Sequence, residues 1–316
     1  MKCFYHKDAD GRVSAHWVRK FRGSFDHPED FYPITYGEPF PFEAIEPEEE
    51  VWIVDFSIET HEMARLLTIT TNVFWIDHHK TAIDKYRCFD YPIKGWRVDG
   101  VAGCMLTFSY LTFATYESGA DFKLVAYEKA DGIGANAEFK PWMAEGAPRF
   151  TKLIADWDTW TFAYGDETRF FDVGFGSRDF SPCSDEWKKF DTYPEGEFEA
   201  ELVSEGKLMM RWRDQWAKSY MKLGFELPDW EGHRCYVVNL GRCNSEFFKS
   251  VAGDYEILMP FVYNGKTDKW TVSLYSETVD VQAIAQRYGG GGHKGAAGFQ
   301  CDELPFWWEE EGDVAC

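Results

Sequence analysis

A chain of 316 residues can hold two domains, each with its own core, and 45% hydrophobic with 18% aromatic content excludes a disordered polymer. A formal net charge of −21 repels polyphosphate and excludes a protein that tracks long duplex or single-stranded nucleic acid along a basic stripe. No apolar run is long enough to cross a bilayer, and Met1-Lys2-Cys3 leads into a strand without a signal-peptide pattern, so the expectation is a soluble, cytoplasmic protein with no membrane partner.

In chain order, Cys3-Phe4-Tyr5 reads as a strand running into His6-Lys7-Asp8-Ala9-Asp10-Gly11. Residues 12–21 read as a helix whose amino end faces that loop, with Gly11 permitting the tight turn before it. Residues 23–50 contain five prolines and read as a poor helix holding one short strand at about 31–36. Val51-Trp52-Ile53-Val54 is a strand that ends in Asp55-Phe56-Ser57, and Ser57 or Thr60 is the expected N-cap of a helix carrying Met63, Leu66 and Leu67. Asn72 restarts the sheet toward Phe74-Trp75-Ile76-Asp77-His78-His79. The alternation of strands and helices predicts a parallel sheet with right-handed crossovers. Three apolar strands thus end in carboxylates and imidazoles at the carboxyl edge of one sheet, where open α/β sheets bind their ligands.

Farther on, Gly100-Val101-Ala102-Gly103 opens an apolar helix reaching about Tyr116; its small first turn fits either tight helix packing or a close approach to the site. Residues 119–165 carry mixed helical signals and deliver Asp156-Trp157-Asp158. A charged, aromatic helix at about 197–223 is the expected domain connector. From Cys235 the texture turns β-rich: a strand at 235–240, a hairpin of 256–262 with 269–275 around Asn264-Gly265, a helix at 281–287, then a glycine run. The expected division is a catalytic domain at 1–196, a helical connector at 197–225, a substrate-binding domain at 226–303 and an acidic tail at 304–316. The eight cysteines show no metal or disulfide spacing and read as free thiols. The glutamates at 46–50 and 309–311 read as solvated faces.

His6-x-Asp8-x-Asp10-Gly11, Asp55, Asp77-His78-His79 and Asp158 occur in the order of the motifs of the DHH phosphoesterases, which the chain resembles. Gly289-Gly290-Gly291-Gly292-His293-Lys294-Gly295-Ala296-Ala297-Gly298-Phe299 resembles the signature of the DHH-associated C-terminal domain. The resemblance spans almost the whole chain. It implies an α/β fold, a parallel-sheet domain with helices on both faces followed by a smaller mixed α/β domain. It also implies two divalent ions, Mn²⁺ first, with Mg²⁺ or Co²⁺ admitted by the same mixed cage of imidazoles and carboxylates. One ion would take His6, Asp8 and Asp55, the other Asp10, Asp55, His78 and Asp158, with Asp55 bridging. Asp156 competes with Asp158 for that last place. Asp77 would orient the histidines, while His79 and His293 would meet the substrate phosphate, His293 within a backbone cradle at Gly291 and Gly292. Where the family often carries a strand arginine, this chain has Ser273-Leu274-Tyr275-Ser276, and Arg242, Asn244 and Arg287 are the available replacements.

Any one of these residues alone has a plainer reading: Asp55 as an N-cap, His6 as a loop histidine, the glycines as a loop. Collectively the plain reading fails, because several carboxylates at one sheet edge repel one another unless a cation offsets them. The expected function is metal-dependent hydrolysis of short oligonucleotides. The alternatives are a cyclic or linear dinucleotide phosphodiesterase, then a pyrophosphatase, and from another class an idle, metal-stabilised binding module.

Overall fold

The computed structural model describes residues 1–22, 27–117, 139 and 144–306, and the chain divides into two units, Met1–Met209 and Met210–Cys316. The expectations for 119–138 and 140–143, and for the tail from 307 onward, fall outside the described residues.

The first unit is built on β1 (Lys2–His6), β2 (Phe31–Ile34), β3 (Val51–Val54) and β4 (Val73–Ile76), all parallel, in the order β2-β1-β3-β4. Every residue of β3 and β4 is buried, and the pleat sends them alternately to two cores. Trp52, Val54, Phe74 and Ile76 join one core with α1 (Ala9–Arg22), α4 (Gly103–Glu117), α5 (Arg149–Asp158) and α6 (Asp166–Gly176). Val51, Ile53, Val73 and Trp75 join the other with α2 (Thr60–Ile69) and α3 (Lys80–Lys85). A parallel sheet covered on both faces is what near-continuous apolar strands require. The segment after β4 adds parallel bridges at Phe74 with Lys94 and at Asp77 with Arg97, so it runs alongside the last strand.

Several boundaries differ from expectation. The first helix starts at Ala9, so Asp10 and Gly11 belong to its first turn and not to a loop. The cap of α2 is Glu59, whose backbone N–H donates to Glu62 at 2.9 Å, and neither Ser57 nor Thr60 has that role. After α7 (Trp187–Thr192), the long helix α8 (Glu197–Tyr220) contains the boundary between the two units.

The second unit carries a six-stranded sheet in the order β5-β6-β7-β8-β10-β9. Its strands are β5 (Phe225–Trp230), β6 (His233–Asn239), β7 (Ile257–Asn264), β8 (Lys269–Tyr275), β9 (Gly291–His293) and β10 (Ala296–Cys301), with α9 (Val281–Arg287) against its core. Only β6 and β7 pair in parallel. The hairpin of β7 and β8 lies where Asn264-Gly265 placed it. The seven described cysteines are free thiols, and among the described residues no helix is long and apolar enough to cross a membrane.

Candidate metal centre

The ends of β1, β3 and β4, the first turn of α1 and the end of α5 bring six candidate ligands together. His6 closes β1, and its Nδ1 lies 2.5 Å from Asp8 Oδ2 and 3.9 Å from Asp55 Oδ2. Asp8 is fixed in turn by the Gly11 N–H at 2.9 Å. Asp55 follows β3 with φ +51°, a left-handed backbone that a non-glycine residue adopts only where surrounding structure holds it. His78 Nε2 stands 3.1 Å from Asp55 Oδ1, 3.5 Å from Asp158 Oδ2 and 3.7 Å from Asp10 Oδ2. Three sets of donor atoms therefore converge: His6, Asp8 and Asp55; Asp10, His78 and Asp158; and Asp55, His78 and His79.

Asp10 is held from the far side. The N–H groups of Gly103 and Cys104, at the amino end of α4, donate to its two oxygens at 2.7 Å each. The positive end of that helix also favours an anion. A Cβ on Gly103 would fall 2.8 Å from Asp55 Cβ and 3.0 Å from Asp10 Oδ2, so only glycine lets α4 come this close. Sequence reading left Gly103 between packing and site; its position against two carboxylates shows that it does both. The amides of Gly103 and Cys104 carry no side-chain signal and are readable only in three dimensions.

Asp77 is fully buried and accepts from His79 Nδ1 at 2.7 Å and from the backbone N–H of His78 at 2.8 Å. It sets the orientation and tautomer of His79. Asp156 and Asp158 part company. Asp158 faces His78, whereas buried Asp156 accepts from the N–H of Ala163 at 2.7 Å, the N–H of Tyr164 at 3.3 Å and the Thr168 hydroxyl. Asp156 thereby anchors the loop in which Trp160 and Phe162 adopt left-handed backbone.

The electrostatics fit a cation. Both oxygens of Asp55 and one of Asp158 are buried with no hydrogen-bond donor. Burial, then the charges of Asp10, Asp8, Asp158 and Asp77, push the Asp55 carboxyl well above the usual range. Burial and the same neighbours, Asp10 and Asp8, push Asp158 up to about 8. Burial opposes ionisation of Asp8 as well, yet the hydrogen bond and charge of His6 hold it below the ordinary value. Burial opposes the protonation of His79, but the bond to Asp77 raises it overall. A further carboxyl, Asp172 on α6, is raised to about 7 by burial and by the charge of Asp8. Carboxylates without donors, interleaved with imidazoles, match the donor preference of first-row divalent cations.

The residues of the second unit expected to hold substrate belong to none of these donor sets among the described residues. Gly291-Gly292-His293 forms the edge strand β9 and not an open loop, and all three are exposed. Gly292 has φ +141° and a Cβ there would fall 2.5 Å from Ala297 Cα, so pairing with β10 accounts for this glycine. Arg287 is in an ion pair with Glu231 at 2.8 Å. Tyr275, at the place of the family arginine, donates its hydroxyl to the Cys243 carbonyl at 2.7 Å, in a loop where Arg242 is exposed with φ +52°.

No protein-family model matches the chain. An uncharacterized protein of Acanthamoeba polyphaga mimivirus is 23% identical over 263 residues, 78% of this chain and 52% of the relative, so the chain spans about half the length of that relative. Among solved structures, a pGpG-specific phosphodiesterase, PggH of Vibrio cholerae, superposes with a TM-score of 0.51 at 12% identity, covering 95% of this chain and 93% of that one. The DHH domain of a member of a ribosomal-protein family superposes with a TM-score of 0.46 at 12% identity, covering 94% of this chain and 81% of that one. With four parallel strands, helices on both faces and a second mixed unit, the chain shares the fold of that pGpG-specific phosphodiesterase, an α/β fold of the kind its motifs implied.

Proposed function

We propose that this chain is a divalent-metal-dependent phosphodiesterase that hydrolyses short oligonucleotides, with Mn²⁺ as its first ion. The observation that carries the reading is Asp55: two buried carboxylate oxygens without a donor, set among His6, Asp8, Asp10, His78 and Asp158. His6, Asp8 and Asp55 would hold one ion, and Asp10, Asp55, His78 and Asp158 the other. Bound cations of this kind supply an activated water and neutralise the phosphoryl oxygens.

The chain's own residues position the rest. The amides of α4 hold Asp10 in place, and the left-handed backbone at residue 55 turns its carboxylate into the cluster. Asp77 occupies Nδ1 of His79 and raises its affinity for a proton, so Nε2–H is free to donate to a phosphate oxygen. His293, exposed on β9, is assigned to substrate phosphate binding.

The short substrate follows from charge, since an acidic chain has few cations with which to hold a long polyanion. A linear dinucleotide is the second reading, supported by the similarity to a pGpG-specific phosphodiesterase. The test is kcat/KM for the Mn²⁺-loaded protein on a ladder from dinucleotides to long single strands, with cyclic dinucleotide and pyrophosphate alongside. Rates that fall as length grows support the proposal, and preference for the dimer alone supports the second reading. Efficient degradation of long strands at moderate salt contradicts both.

A further inference from the structure

Beside the acidic cluster, on the loop after β2, stands an aromatic ring that neither the metal centre nor the phosphate contacts use. Ile34 is the register partner of His6, so Tyr36 follows two residues beyond the level where the ligands begin. Its ring centroid is 5.7 Å from that of His6, 5.8 Å from that of His79 and 4.7 Å from that of Phe56. The side chain is 50% exposed. Its hydroxyl meets Ser57 Oγ at 3.3 Å, which fixes the tilt of the ring. Next to it opens a small recess of about 90 Å³, walled by Ile34, Tyr36, Phe40, Phe56 and Ile58.

We infer that Tyr36 and this recess take the nucleobase of the nucleotide whose phosphate lies at the metal centre. The inference deepens the phosphodiesterase reading and rests on it. With one face against Phe56 and half its surface open, the tyrosine offers a platform on which a flat heterocycle stacks, and every base has such a face. The rim carboxylates are already engaged. Glu38 binds Lys7 Nζ at 2.7 Å and the Thr35 N–H at 3.2 Å, Glu59 binds Lys85 Nζ at 2.6 Å, and Glu62 accepts the Glu59 N–H. Recognition is therefore by stacking, tolerant of base identity, and it acts next to the scissile phosphate.

The test is calorimetric binding of AMP and of ribose 5-phosphate, which lacks the base, to the full Mn²⁺-loaded chain as wild type, Tyr36→Ala and Tyr36→Phe. Wild type should bind AMP about 5- to 140-fold more tightly than ribose 5-phosphate, the range expected for one stacked base. Tyr36→Ala should erase that gap without changing the Mn²⁺ stoichiometry or the affinity for ribose 5-phosphate, and Tyr36→Phe should keep it. Equal binding of both compounds to wild type, or a gap that survives Tyr36→Ala, overturns the base platform and leaves the phosphodiesterase reading standing. Failure of the Mn²⁺-loaded wild type to bind either phosphate overturns both.

Discussion

Among the described residues, burial and like charge resist the ionisation of Asp55 and Asp158, and this gives the metal-free protein a distinctive response to pH. Asp158 has an ordinary value of 3.8 and is raised to about 8 by burial and by the charges of Asp10 and Asp8. Because its folded pKa exceeds its unfolded one, it contributes full stability below about 3.8, and that contribution is lost as pH rises through about 8. Paired carboxylates such as Glu50, held low by Arg22 against the cost of burial, act in the opposite sense but only near and below 4.5. We predict that in EDTA the Tm falls between about pH 5 and pH 8 and that Mn²⁺ restores more of it at pH 8 than at pH 6. Asp158→Asn should flatten the decline; a Tm that climbs steadily through this window in the wild type would argue against charge crowding at the cluster. At this scale the sequence was legible where strands end, as at His6, Asp55 and His78. It was not legible at residues 156 and 158, two identical side chains two positions apart, because only the turn of α5 and the loop amides of Ala163 and Tyr164 distinguish them.

At the scale of elements, the amino end of α4 matters most, since it grips Asp10 with two main-chain donors and does so only through Gly103. Adding a methyl group there forces the helix away from Asp55, an overpacking change that ordinarily costs about 1–3 kcal/mol. Gly103→Ala should therefore weaken Mn²⁺ binding by about 10- to 100-fold, the usual effect of losing a partner behind the ligands, as read by calorimetry. Unchanged affinity would mean that the α4 amides are incidental to the centre. The strands β3 and β4 were readable because burial on both faces leaves nothing but apolar residues in them. By contrast β5 gave no signal: it is an edge strand with Pro228 inside and alternating exposure, and an edge tolerates proline because one side needs no ladder bond. The cap of α2 was misplaced because Ser57 and Thr60 are favoured cap types, while the fold uses the reciprocal pair Glu59 and Glu62. The glycine run, read as a phosphate cradle, forms part of strand β9, where close pairing with β10 demands small residues.

For the whole molecule, the alternation of strands and helices was enough to give a parallel sheet, and so to bring distant motifs to one edge. The texture change near Cys235 likewise announced a second, mixed unit. What the alternation did not give was the depth of the cluster: Asp55 and Asp10 are buried while Asp8 is 45% exposed, a difference set by α4 packing over the edge. In the proposed two-ion scheme that gradient ranks the ligands, since loss of Asp55 would remove a buried donor from both sets, whereas loss of the more exposed Asp8 would leave its neighbours in place. The most direct measurement is metal content after dialysis against Mn²⁺, together with hydrolysis of a dinucleotide, for wild type, Asp8→Ala and Asp55→Ala. Wild type should hold about two Mn²⁺ per chain and lose activity on chelation, Asp8→Ala should retain part of its metal, and Asp55→Ala should lose both ions and all turnover. One tightly held zinc in the wild type, or full Mn²⁺ content and turnover in Asp55→Ala, would contradict the account.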